Sequence, residues 1–239
     1  MFVTLLLFRV FTGLLEFPLG VYDIFSQYGE ALTRGLCESI KLAMIVWITG
    51  LVLGGISGVL GAKFPKLFGY PLAGLAFILS GIPTLVFLFW LHYPVQAMFN
   101  VVIDPFITAS VTLAIINTFA VSEIVRGALR DFPEHYLVAA RVCGLGKWQT
   151  VRAIQLPLIL RQILPALLTT QVTMLQATLF ASLISVDEIF RTAQQINATI
   201  YKPVEIYTAL GILFLAVCLP LNGLALWLRK HFTRNLSEN

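Results

Sequence analysis

The sequence predicts an all-α membrane protein with five spanning helices. Hydrophobic residues make up 58% of the 239 positions and charged residues only 12%, whereas soluble domains average roughly 45–50% apolar and about 25% charged residues. A spanning helix needs about 20 predominantly apolar residues. The long apolar runs predict spans at about 42–62, 72–92, 106–121, 162–186 and 206–228. A polar stretch, residues 122–161, separates the third span from the fourth.

The residues before the first span are apolar but interrupted by charge. Arg9 and Glu16 leave an uncharged run at the start that is too short to cross a bilayer. We interpret residues 1–27 as an interfacial segment, although a sixth span is the alternative. Residues 28–232 then form the membrane domain, and residues 233–239 form a tail.

The first span carries glycines four residues apart. Gly50, Gly54 and Gly58 share one face of a helix. Small residues at this spacing let a second helix approach closely in lipid. We expect such packing here; the alternative is that the glycines are merely tolerated.

The second span contains Pro83 near its middle. Proline removes a backbone hydrogen bond and kinks a helix, so we expect one kinked span. Carbonyls freed in the membrane are tolerated where a helix faces protein or water. Pro83 therefore has either a structural role or a place in a substrate pathway.

Polar side chains in the third and fourth spans suggest further pathway residues. Asn117 lies inside the third span, where a hydrogen bond to a neighbouring helix is the favoured interpretation. The fourth span carries Gln171, Gln176 and Thr178 among other polar residues. Polar groups in membranes usually face a bundle interior or a water-filled cavity. These four residues and Pro83 are the candidates for a substrate pathway.

The distribution of positive charge predicts the orientation. Residues 63–71, residues 122–161 and the C-terminal tail hold eleven of the sixteen Lys and Arg residues but only four of the twelve Asp and Glu residues. The positive-inside rule places these segments in the cytoplasm. The N-terminus is then outside and the C-terminus cytoplasmic.

The polar stretch itself predicts a helix, a glycine turn and a second helix. Asp131 is a candidate N-cap, and Pro133 suits a first turn. Gly144 ends this helix, a second follows over 147–154, and Pro157 begins the next membrane helix. An element of this kind outside the bilayer suits docking into a groove on a partner protein.

No motif for catalysis or nucleotide binding is found in the sequence. Gly146 and Lys147 are followed by Trp148 instead of Ser or Thr, so a phosphate-binding loop is excluded. No set of His, Cys, Asp and Glu has metal-ligand spacing. We therefore expect neither an enzyme nor a cofactor in this chain. The net charge of +4 does not indicate a nucleic-acid partner, because in a membrane protein the placement of charges matters more than their sum.

The spacing within the polar stretch resembles the coupling motif of bacterial ABC importer permeases, which begins with Glu-Ala-Ala. The matching positions are Ala139, Ala140, Gly144, Ile154, Leu156 and Pro157. Val138 departs from the motif, since it occupies the position of the glutamate. Segments 121–128, 144–150, 193–196 and 205–207 resemble the polar amino-acid branch, which includes permeases for histidine, glutamine, arginine and opines. The resemblance covers roughly residues 30–230.

This resemblance implies a type I ABC importer permease fold and half of a translocation pathway in a bacterial inner membrane. It implies a second permease subunit, identical or different, and two ABC ATPase subunits that bind ATP and Mg²⁺. A periplasmic or lipid-anchored solute-binding protein would deliver the substrate. The residues implied to contact the ATPase are Val138, Ala139, Ala140, Arg141, Gly144, Ile154, Leu156 and Pro157, with Glu123 and Arg126 in support.

The resemblance has a second departure, which concerns the substrate. Many relatives carry a Lys-Asp pair in the fourth span, where this chain has Gln176 and Ala177. The chain is therefore either the non-binding half of a heterodimer or carries a substrate less cationic than arginine or histidine.

The main alternative function is a secondary transporter or channel subunit without an ATPase. Such proteins place ionisable residues inside their spans, and the five predicted spans contain none except His92 at a boundary. A membrane anchor or assembly protein is a third alternative, and the polar fourth span argues against it.

Overall fold

The computed structural model describes the backbone of residues 2–234 and the side chains of residues 20–232. All regular structure in this part of the chain is helical. The helices are α1 Phe2–Lys63, α2 Tyr70–Ser80, α3 Thr84–Trp90, α4 Gln96–Met98, α5 Pro105–Arg130, α6 Glu134–Val142, α7 Lys147–Thr150, α8 Leu156–Ala177, α9 Ile189–Ile200 and α10 Pro203–Arg234. Short π-helical segments cover Pro65–Gly69, Leu91–Val95 and Val151–Gln155, and a 3₁₀ segment covers Thr178–Ile184.

Four helical runs in the described part of the chain are long and apolar enough to cross a membrane. They are Gly20–Lys63, Pro105–Arg130, Lys147–Ile184 and Pro203–Phe232. A fifth element is a pair of helical runs, Pro65–Ser80 and Thr84–Met98, bent by 98°. The all-α membrane fold is thus confirmed, with four continuous spanning elements and a fifth where the bent pair forms one span.

Pro83 separates two helices instead of kinking one. Its φ of −56° and ψ of 133° place it in the extended region, immediately before α3. The ring of a proline also disfavours a helical conformation for the preceding residue, Ile82. The prediction of a single kinked helix over 72–92 was therefore wrong, because the chain leaves the helical region between Ser80 and Thr84.

The start of α8 also differs from the sequence prediction. Gln155 has helical φ and ψ of −66° and −51°, and the Leu156 N–H donates to the Val151 carbonyl, five residues earlier. Pro157 has no N–H to donate, so the wider π turn before it keeps the helix continuous. Pro157 lies in the first turn of α8, as predicted, but no break separates α8 from the second helix, since one run extends from Lys147 to Ile184. At the other end of the polar stretch, residues 122–130 belong to α5.

The first part of α1 packs on the C-terminal third of the chain. Val21, Ile24 and Leu32 are buried in a cluster with Ile189 of α9 and Ile206 of α10. The predicted interfacial segment, 1–27, lies mostly outside the residues whose side chains are described, and it stays a prediction.

The glycine face of α1 lies directly against α5. A Cβ atom on Gly50 would be 2.2 Å from Nδ2 of Asn117, and one on Gly58 would be 2.8 Å from the Ser122 carbonyl oxygen. These distances are shorter than any side-chain contact allows, so only glycine permits this separation of the two backbones. The predicted close packing of a helix on this face is confirmed.

A buried glutamate joins α1 to the start of α9. Glu188 is fully buried and caps α9, because its Oε1 accepts from the Arg191 N–H at 2.9 Å. The Ser39 hydroxyl donates to Oε2 of Glu188 at 3.2 Å, and Ser39 Oγ accepts from the Ile189 N–H at 3.2 Å. Gly35 allows α1 to lie this close to the start of α9, because a Cβ atom at position 35 would be 2.9 Å from the Ile189 Cα. Burial raises the pKa of Glu188 to about 7, although hydrogen bonds from backbone N–H groups and Ser39 act in the opposite direction.

We predict that Gly54→Ala destabilises the protein while Gly55→Ala does not. A Cβ on Gly54 would lie 2.6 Å from the Val121 Cβ and 2.7 Å from the Thr118 carbonyl oxygen, whereas one on Gly55 meets nothing within 4 Å. Separating the helices costs about 1–3 kcal/mol. Thermal unfolding of the detergent-solubilised variants measures the difference, and equal Tm values for the two variants would contradict the glycine contact.

We predict that Glu188→Gln removes a pH dependence of stability. The buried carboxyl group binds a proton at higher pH than the unfolded one, so the free energy of unfolding falls as the pH rises from about 4.5 to about 7. The Gln variant does not titrate, so its free energy of unfolding does not fall in this way. Above pH 7 it is therefore more stable than the wild type, by at most on the order of 3 kcal/mol. Unfolding at pH 5 and pH 8 tests this. An identical stability difference between the two proteins at both pH values would refute it.

Candidate functional site

The segment between α5 and α8 forms the predicted helix, glycine turn and helix. Gly144 has φ +74° and follows the end of α6. The Gly144 N–H donates to the Arg141 carbonyl and the Leu145 N–H to the Ala140 carbonyl, both at 3.0 Å. These bonds satisfy carbonyls that the end of a helix leaves unpaired. Glycine is needed at position 144 because of the backbone conformation. A side chain would not clash there, since a Cβ atom would have no neighbour within 4 Å.

The start of α6 differs from the sequence prediction. Asp131 ends α5, where its N–H donates to the Gly127 carbonyl at 2.9 Å. Its carboxylate accepts from Nε of Arg130 at 3.0 Å. The prediction that Asp131 caps α6 was wrong, because Phe132 enters the core between the two helices and Pro133 is the residue before α6.

The inner side of α6 is fixed to α5 and α8. Ala140 is 2% exposed. Tyr136 and Leu137 pack on a buried cluster from α5, α8 and the link between α5 and α6, and the members of this cluster are Val121, Val125, Ala128, Phe132, Ile159 and Ile163. Helix α6 is therefore packed on both spanning helices.

The outer side of this segment exposes apolar groups beside basic ones. Val138 is 49% exposed, Val142 83% and Trp148 74%. Ala139, Arg141, Gly144 and Leu156 are also exposed, while Ile154 and Pro157 are half-buried at the root of α8. We name the exposed part of α6 and α7, residues 138–148, the coupling surface. Neighbouring exposed apolar groups mark contacts with a partner protein or a membrane. The predicted coupling residues omitted Val142 and Trp148, although an aromatic residue two positions after Gly146 was a usable signal.

Glu123 and Arg126 connect α5 to the end of α1. Nε of Arg126 donates to Oε1 of Glu123 at 3.1 Å. The Arg126 side chain is largely buried and passes Gly61 of α1, where a Cβ would be 3.2 Å from its Cδ. Arg126 thus packs against α1 and pairs with Glu123 on α5, and the role of both residues in coupling stays a prediction.

Two of the predicted pathway residues bond to each other inside the protein. Asn117 is fully buried, and its Nδ2 donates to Oε1 of Gln171 and to the Val46 carbonyl, both at 2.9 Å. The Gln171 carbonyl accepts from Nε1 of Trp47 at 2.9 Å. These bonds link α1, α5 and α8. The favoured interpretation of Asn117, a hydrogen bond to a neighbouring helix, is confirmed, and neither side chain reaches an open face.

The other predicted pathway residues lie in different places. Thr178 is buried and its hydroxyl donates to the Leu175 carbonyl at 2.7 Å. Pro83 is exposed at the break between α2 and α3. Gln176 is exposed and belongs to an open stripe along α8 at helical spacing. The members of this stripe are Gln162, Ala166, Thr169, Thr173, Gln176 and Phe180, and we call it the polar stripe.

Residues 41–234 match the family described as binding-protein-dependent transport system inner membrane components. The chain is 32% identical over 193 residues to the glutamine transport system permease protein GlnP of Escherichia coli, covering 78% of this chain and 88% of that protein. It is 24% identical over 218 residues to the histidine/lysine/arginine/ornithine transport system permease protein HisQ of Salmonella typhimurium, covering 86% and 95%. It is 28% identical over 208 residues to the octopine transport system permease protein OccM of Rhizobium meliloti, covering 84% and 83%.

Two solved structures share the fold. A crystal structure of an amino acid ABC transporter with histidines matches with a TM-score of 0.77 at 23% identity, covering 86% of this chain and 96% of that one. The inward-facing methionine ABC transporter MetNI matches with a TM-score of 0.68 at 20% identity, covering 84% and 95%.

We predict that Asn117→Ala destabilises the protein and that Gln176→Ala does not. Loss of Asn117 leaves the buried Gln171 amide and Val46 carbonyl without this partner, which costs about 1–3 kcal/mol. Gln176 is exposed, and its loss removes only a weak hydrogen bond with the Cys218 thiol of α10. Thermal unfolding in detergent separates the two variants. A lower Tm for Gln176→Ala than for Asn117→Ala would contradict the assignment.

Proposed function

Because the chain belongs to the family of binding-protein-dependent transport system inner membrane components, we propose that it forms half of a translocation pathway for polar amino acids and couples to a separate ATPase. The chain is a multi-pass inner-membrane permease subunit of an ABC importer. The observation that carries the coupling proposal is the coupling surface, which is exposed and apolar on its outer side and packed on two spanning helices on its inner side.

The coupling surface suits a groove on an ATPase subunit that binds ATP and Mg²⁺. A short helix can lay an apolar face into a hydrophobic groove, and Val138, Val142 and Trp148 supply such a face. Val138 occupies the position of the usual glutamate, so this chain replaces a charged contact with an apolar one. Family membership favours this function over a secondary transporter or a channel that works without an ATPase.

The polar stripe suits a pathway closed by a second permease subunit. Thr169, Thr173 and Gln176 are exposed in a single chain, and polar groups facing lipid are costly. A second subunit, identical or related, covers this face, so that the stripe lines a passage shared by the two subunits. ATP-driven movement of α6 then tilts α5 and α8 together, because they form one packed unit with it.

The substrate proposal follows from the uncharged stripe. The names of the relatives specify glutamine, basic amino acids and octopine. The stripe offers amide and hydroxyl groups and no carboxylate for a cationic side chain. We infer a polar amino acid whose side chain is not cationic, delivered from outside by a solute-binding protein. The charge distribution supports an outside N-terminus and a cytoplasmic C-terminus.

We predict that Gly144→Val uncouples the permease and that Gly146→Ala does not. A β-branched residue at φ +74° is strained by roughly 1–2 kcal/mol, while Gly146 has φ −67° and tolerates a side chain. The turn shifts, so ATPase stimulation in the assembled complex falls roughly 5–30-fold. Substrate-stimulated ATP hydrolysis and uptake in proteoliposomes measure this. Wild-type stimulation in Gly144→Val, or uptake without ATPase subunits, would overturn the proposal.

A further inference from the structure

The segment that joins α4 to α5 is apolar and exposed. Residues 98–103, which we call the outer loop, include a single polar side chain, that of Asn100. Met98 is 77% exposed, Phe99 72% and Val102 100%. The coupling surface follows the other end of α5, so the outer loop and the coupling surface lie at opposite ends of this helix.

The outer loop has a fixed conformation. Gln96 is buried, and its Oε1 accepts from the Ile103 N–H at 2.8 Å. Its Nε2 donates to the Thr108 hydroxyl of α5 at 3.1 Å, and its carbonyl accepts from the Val101 N–H at 3.0 Å. One buried side chain thus ties the loop to α5. These bonds hold the apolar side chains of the loop on the outside of the protein.

The length of α5 places the outer loop at the edge of the membrane. Residues 105–122 of α5 carry no charge and extend about 27 Å at about 1.5 Å per residue. The hydrocarbon core is about 30 Å thick, so its boundary falls at the start of α5. Nζ of Lys41 lies 5.0 Å from the centre of the Phe106 ring. A lysine at this level suits the boundary, because its long side chain reaches the polar interface.

We propose that the outer loop inserts the side chains of Met98, Phe99 and Val102 into the outer leaflet of the membrane. Transfer of exposed apolar side chains from water into hydrocarbon is favourable. No group of the transported substrate takes part in this contact, so it goes beyond the proposed function.

The surroundings of the outer loop favour lipid over a soluble protein. Residues 67–103 contain no Asp, Glu, Lys or Arg, whereas interfaces between proteins have a polar rim. Trp90 and Tyr93 are more than half exposed shortly before the loop, and these residue types are enriched where membrane meets water. Ile107 and Val111 are also exposed and share one face of α5. They continue the apolar surface of the loop toward the centre of the membrane.

The position of the outer loop gives the membrane contact a structural role. Asp104 directly follows the loop and caps α5, since its Oδ1 accepts from the Phe106 N–H at 2.8 Å. Helix α5 is thus held by lipid at this end and leads into α6 at the other.

The test measures which medium surrounds the outer loop. Val102→Cys and Phe99→Cys are made separately in the full-length chain, after Cys37, Cys143 and Cys218 have been replaced by Ser or Ala. Each protein is spin-labelled and reconstituted in vesicles of phosphatidylethanolamine and phosphatidylglycerol. Electron paramagnetic resonance then compares collisions of the label with oxygen, which concentrates in lipid, and with nickel ethylenediaminediacetate, which stays in water.

Two control positions define the expected results. Val111→Cys lies on the apolar face of α5, and Glu30→Cys lies on α1, where the glutamate side chain is 88% exposed. We expect the ratio of oxygen to nickel collisions at positions 102 and 99 to be as high as at position 111. We expect a low ratio at position 30.

Two results would overturn the proposal. A ratio at positions 102 and 99 as low as that at position 30 shows that water surrounds the loop. Few collisions with either reagent show that protein covers it, whether a second copy of the chain or another subunit. Elution of each labelled variant as a single species in gel filtration confirms that the comparison is between folded proteins.

Discussion

The contact on which the structure depends is the approach of α1 to α5. Gly50, Gly54 and Gly58 bring the two backbones closer than any side chain permits, and hydrocarbon supplies no hydrophobic force to hold helices together. Close packing and the buried Asn117–Gln171 hydrogen bonds therefore replace that force. Helix α5 is therefore the helix on which both α1 and α8 pack.

Both proposed functional surfaces lie on helices that are joined to α5 or packed on it. Helix α5 ends at Arg130 and leads into α6 through Phe132, which is anchored in the same cluster as Ile159 and Ile163 of α8. The proposed coupling surface and the polar stripe therefore belong to one packed unit. A permease needs this connection, because ATP hydrolysis takes place in another subunit and reaches the pathway only through contacts.

Composition and spacing predict the fold well, because membrane spans and glycine faces are local signals. The helix–turn–helix is also predictable, since Gly144 has a backbone requirement that few residues meet. Three details were not predictable. Pro83 lies in the break between α2 and α3, whereas Pro157 lies inside an unbroken helical run, and the difference arises from neighbours that the sequence does not place. In the sequence, Asn117, Gln171 and Gln176 are all polar residues within apolar runs. Only the packing shows that the first two bond to each other and that Gln176 is exposed.

The most direct test of this account is the distance between the coupling surface and the polar stripe within one chain. Spin labels at positions 142 and 176, both exposed, report it by double electron–electron resonance in the assembled transporter. We expect the same single distance with and without ATP, because α6 and α8 move as one body. A distance that changes with ATP would contradict the claim that the coupling helix moves the pathway helices directly.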